Sequence, residues 1–342
     1  MDLILERIRS GGPDSRAEAA AEIRRLTRTS SENRRALSGA IEPLVSMLRA
    51  DSGPECNEAA ILALLNLAVK DERNKMKVVE TGGLESLLPF LESFNPTLQE
   101  YATAALLTLS ASPAVKPILS ASGAVPLLVK PLSDGTPQAK ADAVAALYNL
   151  SAHPPNLAAI ASSRAVPPLL AHLSACRKSS RTAEKCLALL ESLAGSEDGR
   201  DSLVSADGGV LAIVEVAEEG SPSARERAVG ALLAMCEADR DKYRGRILEE
   251  GAIPGLLELT VRGTTPGARR KARELLALLR DAPRRPREEA LAEADALESV
   301  LSNIVSKIDG DDRMGKAKKM LAEMVQLSME QSLRHLQQRA HW

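Results

Sequence analysis

The sequence predicts an all-α solenoid, and three observations carry that prediction. A short signature recurs six times, as Gly39-Ala40-Ile41, Gly82-Gly83-Leu84, Gly123-Ala124-Val125, Arg164-Ala165-Val166, Gly208-Gly209-Val210 and Gly251-Ala252-Ile253. Its steps are 43, 41, 41, 44 and 43 residues, the period of stacked helical units that cannot bury their apolar faces singly. Each unit then closes on an apolar helical pattern in register. Asn66, Thr108, Asn149, Ser192, Ala234 and Ala277 are followed by Leu67, Leu109, Leu150, Leu193, Met235 and Leu278. Composition agrees, because Ala, Leu, Glu and Arg, all strong helix formers, fill the periodic segments.

One unit shows how the elements arise. Asn33 to Ser38 predicts a short first helix, ended at Gly39, where glycine can take a positive φ without a Cβ penalty. Ile41 to Leu48 is a second helix, with Pro43 tolerated in its first turn. Arg49-Ala50-Asp51-Ser52-Gly53-Pro54 has the composition of a loop. A longer third helix runs from about Cys56 to Val69, its apolar face built from Ile61, Leu64, Leu65 and Leu67. Counting one step back from Asn66 lands on Arg25-Leu26, inside Ala17 to Arg28. The chain therefore opens with a partial unit, as a solenoid end should.

Arg280-Asp281-Ala282-Pro283-Arg284-Arg285-Pro286 breaks the repeat. Beyond it, Leu291, Ala294, Leu297, Leu301, Ile304 and Ile308 form one helical stripe. A second follows in Met314, Ala317, Leu321, Val325, Met329, Leu333 and Leu336. Joined by a short Asp/Gly turn, they predict a helical hairpin. The expected organisation is a solenoid over 1–280, a Pro/Arg linker over 281–289 and a hairpin over 290–342. The hairpin either caps the open end of the solenoid or supplies a Met-bearing helix for a partner or the groove.

Composition excludes several function classes. A formal charge of −2 argues against a general nucleic-acid coat, and 2% aromatic residues leave no base-stacking platform. Cys56, Cys176, Cys186 and Cys236 form no CxxC pair, so neither a disulfide framework nor a zinc site is expected. The start, Met1-Asp2-Leu3-Ile4-Leu5-Glu6-Arg7, becomes charged too early for a signal peptide. The best apolar run, Ala59 to Val69, is too short to span a membrane. A cytoplasmic or nuclear location, or both, is the expectation. His153, His172, His335 and His341 lie in no HExxH motif, and the Gly turns lack the Lys-Ser/Thr end of a phosphate loop. Asp309-Gly310-Asp311-Asp312 lacks the spacing and closing Glu of a calcium loop. No catalytic residue, cofactor, metal or small-molecule substrate is expected, and the chain is predicted not to be an enzyme.

Three helices per unit, a Gly hinge after the first and Ala-Leu-x-Asn-Leu in the last resemble armadillo repeats. Ala63-Leu64-Leu65-Asn66-Leu67-Ala68 and Ala146-Leu147-Tyr148-Asn149-Leu150-Ser151 are similar to segments of the plant U-box/armadillo family, over about residues 14–280. That resemblance implies a right-handed superhelix of about six repeats plus the partial unit, with the third helices lining a concave groove that recognises proteins. The U-box of that family, a segment of roughly 70 residues containing Cys-Pro-Ile, is not recognised in this sequence. The expected function is a non-enzymatic interaction scaffold or adaptor that binds a partner peptide or domain along the groove, in ubiquitin or kinase signalling. The alternative is the substrate-recognition part of a U-box-type ubiquitin ligase.

Asn66 and Asn149, two units apart, either bond a partner's backbone or cap internal groups, since side-chain amides do both. Importin-alpha adds a Trp one turn earlier; here stand Ala21, Leu62, Ala104, Ala145, Ala188, Gly230 and Arg273, which argues against that mode. Glu58, Glu100, Asp142 and Glu184 mark the early third helices. Arg181, Lys185, Arg225, Arg227, Arg269, Arg270, Lys271 and Arg273 mark the later ones. The candidate groove residues are Asn66, Asn149, Lys185, Arg227, Arg269, Arg270 and Arg273. Such a face would attract an acidic or phosphorylated segment. The other reading is that these charges only keep exposed helix starts solvated.

Overall fold

The structure, a computed structural model, describes residues 1–50, 53–263 and 265–280. The linker and hairpin expected at 281–289 and 290–342 lie outside the described residues. An opening pair, α1 (Asp2–Ser10) and α2 (Pro13–Thr27), precedes six units. The first holds α3 (Ser31–Ala36), α4 (Ile41–Arg49) and α5 (Pro54–Ala68). The second holds α6 (Glu72–Glu80), α7 (Gly83–Leu87) and α8 (Pro96–Ser110). The third holds α9 (Lys116–Ala121), α10 (Ala124–Leu127), α11 (Val129–Asp134) and α12 (Pro137–Ser151). The fourth holds α13 (Pro154–Ser162), α14 (Val166–Ala175) and α15 (Arg181–Ala194). The fifth holds α16 (Glu197–Ser205), α17 (Gly209–Glu219) and α18 (Pro222–Ala238). The sixth holds α19 (Arg240–Glu249), α20 (Ile253–Arg262) and α21 (Pro266–Leu279). Among the described residues there is no strand.

The third helices start where they do for a local reason. Pro stands first in α5, α8, α12, α18 and α21, at a position whose N–H has no partner inside the helix. Before it, Asn95, Thr136, Ser221 and Thr265 accept hydrogen bonds from the first-turn backbone, as Ser180 does for α15. Each such cap contributes about 1 kcal/mol. Third helix then packs on third helix, α2 on α5, α5 on α8, and so on to α18 on α21. Leu64, Leu67, Leu106, Leu109, Leu147, Leu150, Leu190 and Leu193 are essentially removed from water by that stacking. Three of the four cysteines are core residues too; burial pushes the Cys186 thiol up and that of Cys236 up to about 11.

A second ladder ties first helices to third helices. Asn33 Nδ2 donates to Leu26 O (2.9 Å), Asn74 Nδ2 to Leu67 O (2.9 Å) and Arg34 O (3.0 Å), and Asn156 Nδ2 to Leu150 O (3.2 Å) and Lys116 O (3.3 Å). The carbonyls left unpaired at a third-helix C-terminus are thus satisfied by the next unit.

Several sequence expectations shift. Gly82, Gly123, Gly208 and Gly251 are left-handed, with φ between 63° and 77°, and Arg164 takes the same turn at φ 59°. Gly39 does not; it lies in a 3-10 helix over Ser38–Ala40, against Arg9 of α1. The opening pair packs there and replaces the turn used by later units. The first helix of unit one ends at Ala36, and the third begins at Pro54, two residues before Cys56, because Pro fits the first turn. In unit six the register slips. Thr265 lies 44 residues after Ser221, the extra residue entering the loop after α20. Leu279 (3% exposed), not Leu278, therefore takes the buried place of Met235.

Leu150 is fully buried, so Leu150→Ala is expected to lower unfolding stability by about 2–5 kcal/mol in urea titration. No atom crowds a Cβ at Gly208, so its need for glycine is conformational alone. Gly208→Ala should lose about 1 kcal/mol while Arg164→Gly gains about as much, read as opposite shifts in Tm.

Candidate partner-binding wall

The stacked third helices form one continuous wall, and register assigns its columns. In the column of Lys185 and Arg227 the other units carry Ala59, Tyr101, Asp142 and Lys271. In the column of Glu191 they carry Leu65, Leu107, Tyr148, Leu233 and Ala277. Leu65, Tyr101 and Leu107 are half-buried and Tyr148 is exposed, so units one to three present a largely apolar surface, broken by half-buried Asp142 in unit three. Units four to six present ions.

The ionic part is a single cluster. Arg227 Nη1 of α18 lies 2.8 Å from Glu191 Oε2 of α15, and Lys271 Nζ of α21 lies 2.6 Å from Glu191 Oε1. One carboxylate thus holds two cations and links three successive units. Glu191 and Lys271 are 18% and 16% exposed, against 46% for Arg227, so their pair is the better shielded from solvent. The Glu191 hydrogen bond raises the Arg227 guanidinium above its usual range. Gly230 makes the bridge possible. A Cβ there would lie 1.9 Å from Glu191 Oε1 and 2.8 Å from Lys271 Nζ, in the middle of the pair.

The sequence-derived candidates divide. Asn66 and Asn149 are half-buried and turn their amide N–H groups to the preceding third helix, onto Arg24 O (2.9 Å) and Ser110 Oγ (3.1 Å). Arg270 is exposed and paired with Glu274 at 3.2 Å. Lys185, Arg269 and Arg273 are half-buried. With the slipped register, Arg273 stands one residue before the groove column, which Glu274 occupies. Arg225, by contrast, donates to Ala217 O (2.8 Å) and lies 3.6 Å from Glu258.

Two of the early carboxylates have structural work. Glu100 accepts from the Thr136 hydroxyl and Glu184 from that of Ser221 (2.5 Å), as Glu226 does from Thr265 (2.6 Å). Each ties one third helix to the cap of the next. In unit three Ala141 takes this place, and Ser180 turns to Cys176 Sγ instead, at 3.8 Å. Sequence reasoning missed Glu191, which lies 80 residues from Lys271. The available signal was a carboxylate in a column otherwise held by Leu65, Leu107, Tyr148, Leu233 and Ala277. Among the described residues, no three of His, Cys, Asp and Glu gather as a metal-binding group, and no helix is long and apolar enough to cross a membrane.

Three-helix units with left-handed hinges and a stacked third-helix wall define an armadillo-type α-solenoid. Solved structures agree on the fold. An engineered protein superposes with a TM-score of 0.71 at 22% identity, covering 91% of this chain and 74% of the other. A structure of computationally designed armadillo repeat proteins for modular peptide recognition gives 0.54 at 20% identity, covering 81% and 99%. The chain belongs to the family described as the plant U-box protein ARM repeat region, which residues 2–287 match. Among its relatives, U-box domain-containing protein 45 of Arabidopsis thaliana is 31% identical over 249 residues, 71% of this chain and 32% of that protein. U-box domain-containing protein 17 of the same plant is 32% identical over 281 residues, 80% of this chain and 38% of that one. The chain thus spans about a third of the length of these relatives.

Asp142, in the same column as Lys185 and Arg227, has its pKa raised by burial, against the lowering pull of the Gln138 amide at 3.0 Å. A folded-state pKa above the unfolded value means the ionised carboxylate costs stability at neutral pH. Asp142→Asn is therefore expected to stabilise the chain at pH 7. That advantage should shrink as pH falls through the folded pKa and be gone below about pH 4, measured by urea titration at both pH values.

Proposed function

We propose that this chain is a protein-binding scaffold whose third-helix wall holds a partner segment, apolar side chains over units one to three and acidic or phosphorylated groups over units four to six. The observation that carries the reading is the change in the wall's chemistry, from Leu65, Leu107 and Tyr148 to the Glu191–Arg227–Lys271 cluster. That cluster holds two cations and one anion, so it keeps a positive surplus for an anionic group to meet. Designed armadillo proteins that share the fold are described as made for peptide recognition, which supports a peptide segment as the occupant. The groove residues of this reading are Asn66, Asn149, Lys185, Arg227, Arg269 and Arg270, with Glu191 as the group that tempers them. Arg273 falls outside it, because the slipped register moves it off the groove column. The U-box relatives favour a place in ubiquitin signalling, and the same names favour a second reading as the substrate-recognition part of a U-box ligase.

A fluorescein-labelled octapeptide of glutamate, with an octalysine control, tests the cationic half by anisotropy. Changing Arg227, Arg269 and Arg270 to Glu should weaken the acidic peptide about tenfold or more, whereas Glu191→Gln should tighten it. An acidic peptide indifferent to both changes sinks the reading. A transcript continuing the frame into a U-box would favour the ligase reading.

A further inference from the structure

The terminal unit breaks the burial pattern of the interior units at particular positions. On third helices, Leu187 and Val229, Leu190 and Leu232, and Ala194 and Cys236 are buried in units four and five. Their counterparts in unit six are Arg273, half-buried Leu276 and exposed Arg280. On second helices, Val166 and Val210, Leu170 and Val214, and Leu173 and Ala217 are buried. Their counterparts Ile253, Leu257 and Thr260 are only half-buried, and nearby Val261 is 40% exposed. The same register places are thus buried where another unit follows and only partly covered in unit six, after which no unit follows among the described residues. The result is an apolar end face on α20 and α21 with arginines set into and around it, Arg262 among them.

We infer that this end face is the docking site of residues 288–312 of the same chain. Three observations select that occupant. The segment carries the apolar stripe Leu291, Ala294, Leu297, Leu301, Ile304 and Ile308 at helical spacing. It also holds eight carboxylates and one lysine, the charge opposite to the arginine border. Finally, α21 ends at Leu279, so the segment starts nine positions beyond the last helix of the face. A tether that short gives an effective concentration on the order of millimolar. Arg240 and Arg244 of α19 donate to the carbonyls of Leu278, Leu279 and Arg280, which fixes the point from which the chain leaves. The docked segment supplies to unit six the apolar cover that each interior unit receives from its successor. It also closes the α20–α21 end to neighbouring copies and to unrelated apolar chains.

Hydrogen exchange on the full chain tests this, comparing wild type with Leu297→Asp/Leu301→Asp. The expected result is exchange in α20 and α21 about tenfold faster in the variant, with α5 and α8 unchanged. A synthetic peptide of residues 286–312 added to the variant should restore the lost protection. Glu293→Lys/Glu298→Lys, which keeps the stripe, should give a smaller loss in the same two helices. Equal protection in all variants overturns the inference. So does protection that rises with protein concentration while wild type sediments as a dimer, because a second copy is then the cover.

Discussion

Everything in this molecule depends on one constraint: a third helix is buried only when the third helices on both sides are present. Leu64, Leu106, Leu147, Leu190 and Leu232 occupy one column and are all essentially inaccessible, each between its own second helix and its neighbours. A buried Leu contributes about 2 kcal/mol, and no unit can collect that alone. Stability therefore spreads from neighbour to neighbour, and the ends of the described solenoid become chemically distinct places. At the start, α1 covers the first unit and Gly39 gives up the left-handed turn of its later counterparts. At the other end, Ile253, Leu257 and Leu276 keep the apolar character of interior positions without their burial.

Apolar burial has no direction, so the orientation of one unit on the next is set by hydrogen bonds. Two sets do this. Asn33, Asn74 and Asn156 satisfy the last carbonyls of the preceding third helix. Glu100, Glu184 and Glu226 hold the hydroxyl that caps the next one. One set grips the end of a helix and the other grips the start, so a slip along the stack would leave buried polar groups unpaired. Residues that read as surface charge or generic polarity along the chain turn out to be joints.

The same neighbour logic governs the wall. Eight cations read along the later third helices suggest a strongly basic face. Glu191 neutralises part of it by meeting Arg227 and Lys271 at once, through a gap that only Gly230 leaves open. Glu274 and Glu258 lie beside Arg270 and Arg225 in the same manner. What remains is a run of paired ions beside an apolar stretch around Tyr148, a surface with two chemistries along one axis.

By itself the sequence determined the class of fold, the number of units, the left-handed hinges at Gly82, Gly123, Gly208 and Gly251, and the buried columns around Leu67 and Leu150. Those features follow from local periodicity and from the steric freedom of glycine, and both are written at fixed spacing along the chain. Only the tertiary structure decided which asparagines are clasps, where the register slips before Leu279, and that Glu191 pairs with a lysine 80 residues away. The physical reason is distance. Periodicity says which face a residue is on, whereas charge pairing and carbonyl capping depend on what the next unit brings within 3 Å of it.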